Sequence, residues 1–413
     1  MAKKPTVASL KKVTPENLAR LGPERLAELL AAAAQNRPEL KRRLRMELAA
    51  EQGVEHLTLE IDKRLGSLQG SGGRVSWRQR GAFVRDLEGL RGLIAGRLAG
   101  LDGEAARERL FVFLGVAPRV RTRVRDKDGG IAAVFARAAG DLSGLVQADD
   151  AGRLADAIAA SPGDWAAWLP AVLEGAPAEL AEAVLTRLSA RPGASATWMG
   201  PLRRLADAAG NVDAYRATWT AAALKTPEAA AEVGRRLLTA GRVEEAGEVL
   251  KAAAPKGKLL GRATPDFGWE SVWIDWLEGS GQAQPAQDAR WASFERTLSV
   301  ERAKAFVSRL TGFDDVEAEE KVFALAAGHA DFAAGLRLLM DWPALPEAAR
   351  MIRARADEAG VAAELAELWA GRLRARFPEA ANVLLRKAAA AAFRRREFAA
   401  CDRLTAEADS IGA

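Results

Sequence analysis

Residues 226–253 read TPEAAAEVGRRLLTAGRVEEAGEVLKAA, and residues 266–278 read DFGWESVWIDWLE. Thr226 is suited to cap free N–H groups, Pro227 is preorganised for a first helical turn, and Glu228 faces the positive end of the helix dipole. Val233, Leu237, Leu238, Val243, Ala246, Val249 and Leu250 then recur at helical rather than strand spacing. Gly241 interrupts them where a tight turn between helices requires a positive φ. The stretch therefore predicts a helix, a short turn and a second helix.

The segment LLTAGRVEEAGEVLKAA resembles the second half of a tetratricopeptide-type repeat, in which small residues let paired helices approach closely. The same i, i+3, i+7, i+10 spacing recurs at Val212-Tyr215-Trp219-Ala222, Val243-Ala246-Leu250-Ala253 and Phe332-Gly335-Leu339-Trp342. It recurs more weakly at Phe398-Cys401-Thr405-Ala408, and only in its small residues at Ala283-Ala286-Arg290-Ser293. The starts lie 31, 40, 49 and 66 residues apart, so no fixed period survives. The expected fold is all-α: an irregular, tetratricopeptide-like helical-hairpin solenoid with an N-terminal helical subdomain. Another all-α arrangement of Ala-rich amphipathic helices satisfies the same spacing.

Ala and Leu dominate a chain that is 49% hydrophobic, and alternating β-branched runs are missing. Almost no sheet is expected. No apolar run approaches a membrane span, and MAKKPTVASLKK lacks the apolar core of a signal peptide. With Cys401 the single cysteine, no internal disulfide is available, and a bacterial cytoplasmic location is expected. A basic flexible tail is expected at 1–13, a helical subdomain at 14–70, helical hairpins at 74–200 and the solenoid at 201–413. The Gly-rich GSLQGSGG (66–73) reads as a flexible connector.

The net charge of +5 is unevenly spread. Residues 1–125 hold 25 Lys and Arg against 14 Asp and Glu, a surplus of 11, which leaves −6 for the rest. The candidate polyanion contacts are Lys41, Arg42, Arg43, Arg45, Arg78, Arg80, Arg121, Arg123 and Arg125. A solvated set of Arg-rich helices carries the same composition. Trp77 beside several arginines is expected to point inward with Phe83, Val84, Leu87, Leu90 and Ile94; base stacking on it is the alternative. PRVRTRVRDKDGG (118–130) reads as a basic loop. Its Asp126-Asp128-Gly129 is not a calcium loop, because Arg137 stands where a bidentate Glu is needed.

Leu48 to Val54 with Leu59 has the spacing of a helix-turn-helix corner, but Asp62 falls where an apolar residue should pack. A structural corner is the expectation there. Trp165, Trp168, Trp198 and Trp219 are expected to staple successive helices. The Trp269-Trp273-Trp276 stripe suits either a core seam or a ligand groove, and the seam is favoured. Only His56 and His329 are present, with no nucleophile elbow, Walker loop or strand-borne dinucleotide fingerprint. No catalytic residue, cofactor or metal site is expected, and neither is enzymatic activity.

Several stretches resemble a family of wholly helical bacterial proteins known as a domain of unknown function. They include NLARLGPERLAELL, LKRRLRMELA, VSWRQRGAFVRDLEGLR, EVGRRLLTAGRVEEAGEVL, ARWASFERTLS, MDWPALPEAAR and PEAANVLLRKAAAAAF, in order along most of the chain. The GSLQGSGG connector and the short stretch around Val361 depart from that pattern. The N-terminal helices also resemble those beside zinc-binding SWIM domains, whose cysteines this chain lacks. The resemblance implies an all-helical fold and carries no assigned residue. The expected function is a non-enzymatic scaffold or adaptor that binds a protein or peptide. Nucleic-acid or polyanion binding through residues 1–125 is the alternative.

Overall fold

The computed structural model describes residues 13–191, 196–255, 267–310, 312 and 314–411. Among them the protein is helical throughout, with no strand. No helix among the described residues is long and apolar enough to cross a membrane. The chain forms two compact units, Met1–Trp219 and Thr220–Ala413. The tail expected at 1–13 lies outside the described residues, save Val13.

In the first unit, helices α1 (Pro15–Ala19), α2 (Pro23–Gln35) and α3 (Pro38–Glu51) each open on a proline whose missing N–H costs nothing there. A Gln52-Gly53 turn, with Gly53 at φ 116, leads into α4 (Val54–Gly70). Leu57, Ile61, Leu65 and Leu68 of α4 form one buried stripe, while Leu59 is exposed and Asp62 pairs with Arg109 (2.8 Å). The apolar register therefore differs from that of a helix-turn-helix corner.

Two expectations from the sequence, a connector at GSLQGSGG and an inward Trp77, do not hold. The first half of GSLQGSGG is the last turn of α4, because burial of Leu65 and Leu68 carries the helix through Gly66 and Gly70. Helix α5 (Trp77–Gly92) continues through a π-helical turn (Leu93–Leu98) to Leu101. Its Leu87, Leu90 and Ile94 are buried, but Trp77 at its start is 78% exposed, not inward.

Helix α6 (Gly103–Gly115) is capped by Asp102, which accepts from the Ala105 amide at 2.9 Å. The basic stretch after it is not all loop: α7 (Ala117–Arg123) buries Ala117 and Val120. Asp126 then accepts from the amides of Ile131 (3.2 Å) and Ala132 (2.9 Å), so the DKDGG segment starts α8 (Gly130–Ser143). The first unit ends with α9 (Ala151–Ala160), α10 (Pro162–Glu174), α11 (Ala178–Ser189), α12 (Met199–Ala208) and α13 (Val212–Ala217). Helix α8 packs on α10 and α10 on α12, while α9 packs on α11. Trp165 and Trp168 meet Phe111, Phe113 and Phe135 in one aromatic cluster that joins α6, α8 and α10. Trp198 and Trp219 are half-buried.

The second unit opens with the hairpin read from the sequence, α14 (Pro227–Thr239) and α15 (Val243–Ala252). Thr226 Oγ1 accepts from the Ala229 amide at 3.4 Å, and Gly241 takes φ 73 in the turn. Helix α16 (Phe267–Gly279) lies against both. Trp269 donates to the Leu250 carbonyl (3.3 Å) and Trp276 to the Val243 carbonyl (3.0 Å). Trp273 stacks between them, with ring centroids 5.3 and 4.6 Å away. The stripe is thus a packed seam, in which the buried Trp269 and Trp276 have their indole N–H groups satisfied.

The unit continues with α17 (Ala283–Thr297), α18 (Val300–Val307), α19 (Asp314–Gly328), α20 (Phe332–Asp341) and α21 (Leu345–Ala354), then α22 (Ala363–Leu373), α23 (Pro378–Arg394) and α24 (Phe398–Ile411). A core running from Phe294 through Met340 and Trp369 to Leu404 unites α17 with α24.

Candidate polyanion-binding surface

The candidate cations lie in the first unit, and the fold sorts them into two places. The first is an edge where residues 73–80 run beside α7 and the residues after it. The Val75 amide donates to the Arg123 carbonyl (3.0 Å), Arg123 Nε to the Gly73 carbonyl (2.9 Å), and Arg80 to the Arg125 carbonyl (3.4 Å). These bonds join the start of α5 to the end of α7. Arg78, Arg80, Arg123 and Arg125 thereby lie along one edge, with Arg80 occupied by Asp128, whereas Arg121, two residues before Arg123 on α7, pairs with Asp164 of α10. Arg123 also lies over the Phe83 ring, 5.7 Å from its centroid.

Arg74, Arg78, Arg119 and Arg125 are exposed on this edge, and no ion pair holds any of them among the described residues. The guanidinium of Arg78 sits 5.3 Å from the Trp77 ring centroid. The edge therefore presents an exposed indole among four uncompensated cations. The charge pattern of the sequence does not single out Arg74 and Arg119, and the structure exposes Trp77 where the sequence predicts an inward side chain. Its position as the first residue of α5, before the buried stripe begins at Leu87, is the signal that marks it as exposed.

The second place is a cleft between α3, α4 and α5. Asp86, its side chain only 7% exposed, accepts from Arg42 at 2.7 and 2.9 Å and from Arg64. Burial lowers the proton affinity of Arg64; Asp86 opposes this, and Arg42 and Arg123 add repulsion. Arg64 is not among the candidates read from the sequence; its pairing with Asp86 places it in this cleft. Arg43 lies 3.9 Å from Glu47, and Arg85 lies 3.8 Å from Glu39. Lys41 and Arg45 are exposed on α3, with no ion pair among the described residues.

Elsewhere, charge is spent on packing. In the second unit, buried Arg290 pairs with Glu278 (2.6 Å), which also accepts from Arg309 (2.5 Å). Arg302, also buried, donates to Ser271 Oγ (2.5 Å) and the Phe267 carbonyl (3.2 Å). Hydrogen bonding to Arg309 and Arg290 holds the Glu278 carboxyl below its ordinary range, whereas burial, with repulsion from Glu278, raises that of Asp275. These contacts tie α16 to α17 and α18. Among the described residues, no group of three or more His, Cys, Asp or Glu is placed to hold a metal ion. His329 accepts the Asp331 amide in a turn (3.1 Å), and Cys401 is half-buried in α24.

No curated protein and no solved structure matches the chain. One family model matches it over residues 8–197 and 190–403, nearly the whole length. That family is described as a family of unknown function, in keeping with the resemblance read from the sequence. The chain belongs to this family of unknown function (DUF6880).

Proposed function

We propose that the protein is a non-enzymatic, cytoplasmic helical scaffold that binds an acidic protein or peptide segment along the edge formed by residues 73–80 and 119–125. The observation that carries this reading is the exposed Trp77, with Arg78 over its ring, on an edge that also carries exposed Arg74, Arg119 and Arg125, none of these arginines held by a carboxylate among the described residues. Trp and Arg are the residue types that dominate binding energy at protein interfaces, and Lys/Arg-rich patches steer acidic partners. The contacts of α8 with α10, α10 with α12 and α9 with α11 support a stacked-hairpin, tetratricopeptide-like solenoid as the scaffold.

Single-stranded nucleic acid is the second reading. An exposed indole beside arginines offers a stacking platform along a phosphate backbone. Fluorescence anisotropy with a labelled Glu-rich peptide and with a labelled oligonucleotide separates the two. Tighter binding of the peptide at near-physiological salt upholds the first reading. Tighter binding of the oligonucleotide replaces it with the second, and binding of neither removes both.

A further inference from the structure

We propose that the cleft between α3, α4 and α5 is a binding site for a phosphate group, with Arg64 at its base and Arg43 and Arg85 closing over the anion. The cleft measures ≈ 180 Å³. That is far more than the ~10–15 Å³ a single water needs. Five arginines line it, Arg37, Arg42, Arg43, Arg64 and Arg85, against two carboxylates, Glu39 and Asp86. Met46, Leu90 and Leu93 supply an apolar wall, so an anion inside would meet guanidinium groups in a medium less screening than water.

The distribution of bonds points to an anion site, not to a finished ion-pair network. Asp86 is one carboxylate serving two arginines, Arg42 and Arg64. Arg64 lines the cleft, and its Nε is buried with no hydrogen-bond partner among the described residues, so its guanidinium is incompletely satisfied. Buried donors are almost always satisfied, and an exception calls for an explanation. The rim differs from the base. Arg43 and Arg85 approach their carboxylates only to 3.9 and 3.8 Å, beyond hydrogen-bonding distance, and both side chains are more than half exposed. Among the described residues neither guanidinium makes a hydrogen bond that turning toward an anion would break. A phosphate dianion has the charge and the acceptor oxygens to engage base and rim together, through the bidentate geometry arginine favours.

The edge that carries the proposed partner site is not required for this cleft. The test is titration of the full-length protein with inorganic phosphate and with pyrophosphate, followed by calorimetry and by ³¹P NMR, with acetate at matched ionic strength as the control. Saturable binding of phosphate or pyrophosphate, weakened at least tenfold in the double variant Arg43→Gln/Arg85→Gln and unchanged in Arg125→Gln, is the expected result. Because both substituted side chains lie on the surface, unaltered helicity of the double variant is expected and is checked by circular dichroism. Absence of saturable binding, equal binding of acetate, or equal affinity in the double variant would overturn the assignment.

Discussion

Gly247 of α15 lies directly beneath the indole of Trp276. A Cβ at that position would stand 2.5 to 2.8 Å from the ring, and the ring is pinned by its bond to the Val243 carbonyl. The closeness of α15 and α16 thus depends on a missing methyl group. Gly247→Ala is expected to destabilise the protein by about 1–3 kcal/mol, the usual cost of overpacking a core. Urea unfolding checks this, and a variant as stable as the parent would show that the seam yields.

Gly66 gives the opposite sign. It sits inside α4 with nothing near the position of its absent Cβ. Gly66→Ala should stabilise by roughly 0.5–1 kcal/mol, because glycine is the costlier residue in a helix interior. If residues 66–70 were a mobile connector, the same substitution would leave the urea midpoint unmoved.

Asp86 anchors Arg42 and Arg64 from a buried position. Asp86→Ala should cost about 3–5 kcal/mol, the penalty for stranding a buried charge. The loss should be read in the unfolding transition of the first unit, with little change from Asp62→Ala, whose pair with Arg109 is more exposed.

Acid should weaken the second unit. Glu278 has its carboxyl affinity for protons lowered by Arg309 and Arg290. A carboxylate depressed in the folded state contributes stability above its unfolded value, ordinarily 4.5, and loses it as pH falls through the folded value. Asp275, raised by burial, works in the other direction and offsets part of the loss. Thermal unfolding between pH 6 and 3 should show a falling midpoint, with a shallower fall in Arg309→Gln.

The fold was legible wherever local chemistry and burial agree. Thr226-Pro227 and Gly241 mark the hairpin because caps and positive φ are set by the residues themselves. GSLQG misled because its glycines signal a turn while Leu65 and Leu68, one face away, supply a tertiary burial that local propensity does not include. The candidate surface was legible as charge, not as chemistry. Arg42 and Arg121 look alike in sequence to Arg78 and Arg125, yet their carboxylates arrive from 44 and 43 residues away. Such long-range pairing decides which arginines are spent on structure. Trp77 was missed for a related reason: a tryptophan on an amphipathic helix is ordinarily core, and only the placement of α5 shows that its first turn extends past the buried stripe.

The most direct test of the proposed scaffold is the affinity of a Glu-rich peptide for the full-length protein and for a variant carrying Trp77→Ala with Arg74, Arg78, Arg119 and Arg125 changed to Gln. None of these five side chains is buried, so the variant should keep its helicity and thermal midpoint. A scaffold that docks its partner on this edge binds the peptide in a salt-sensitive way and loses at least tenfold in affinity in the variant. Equal affinity for the two proteins would contradict it.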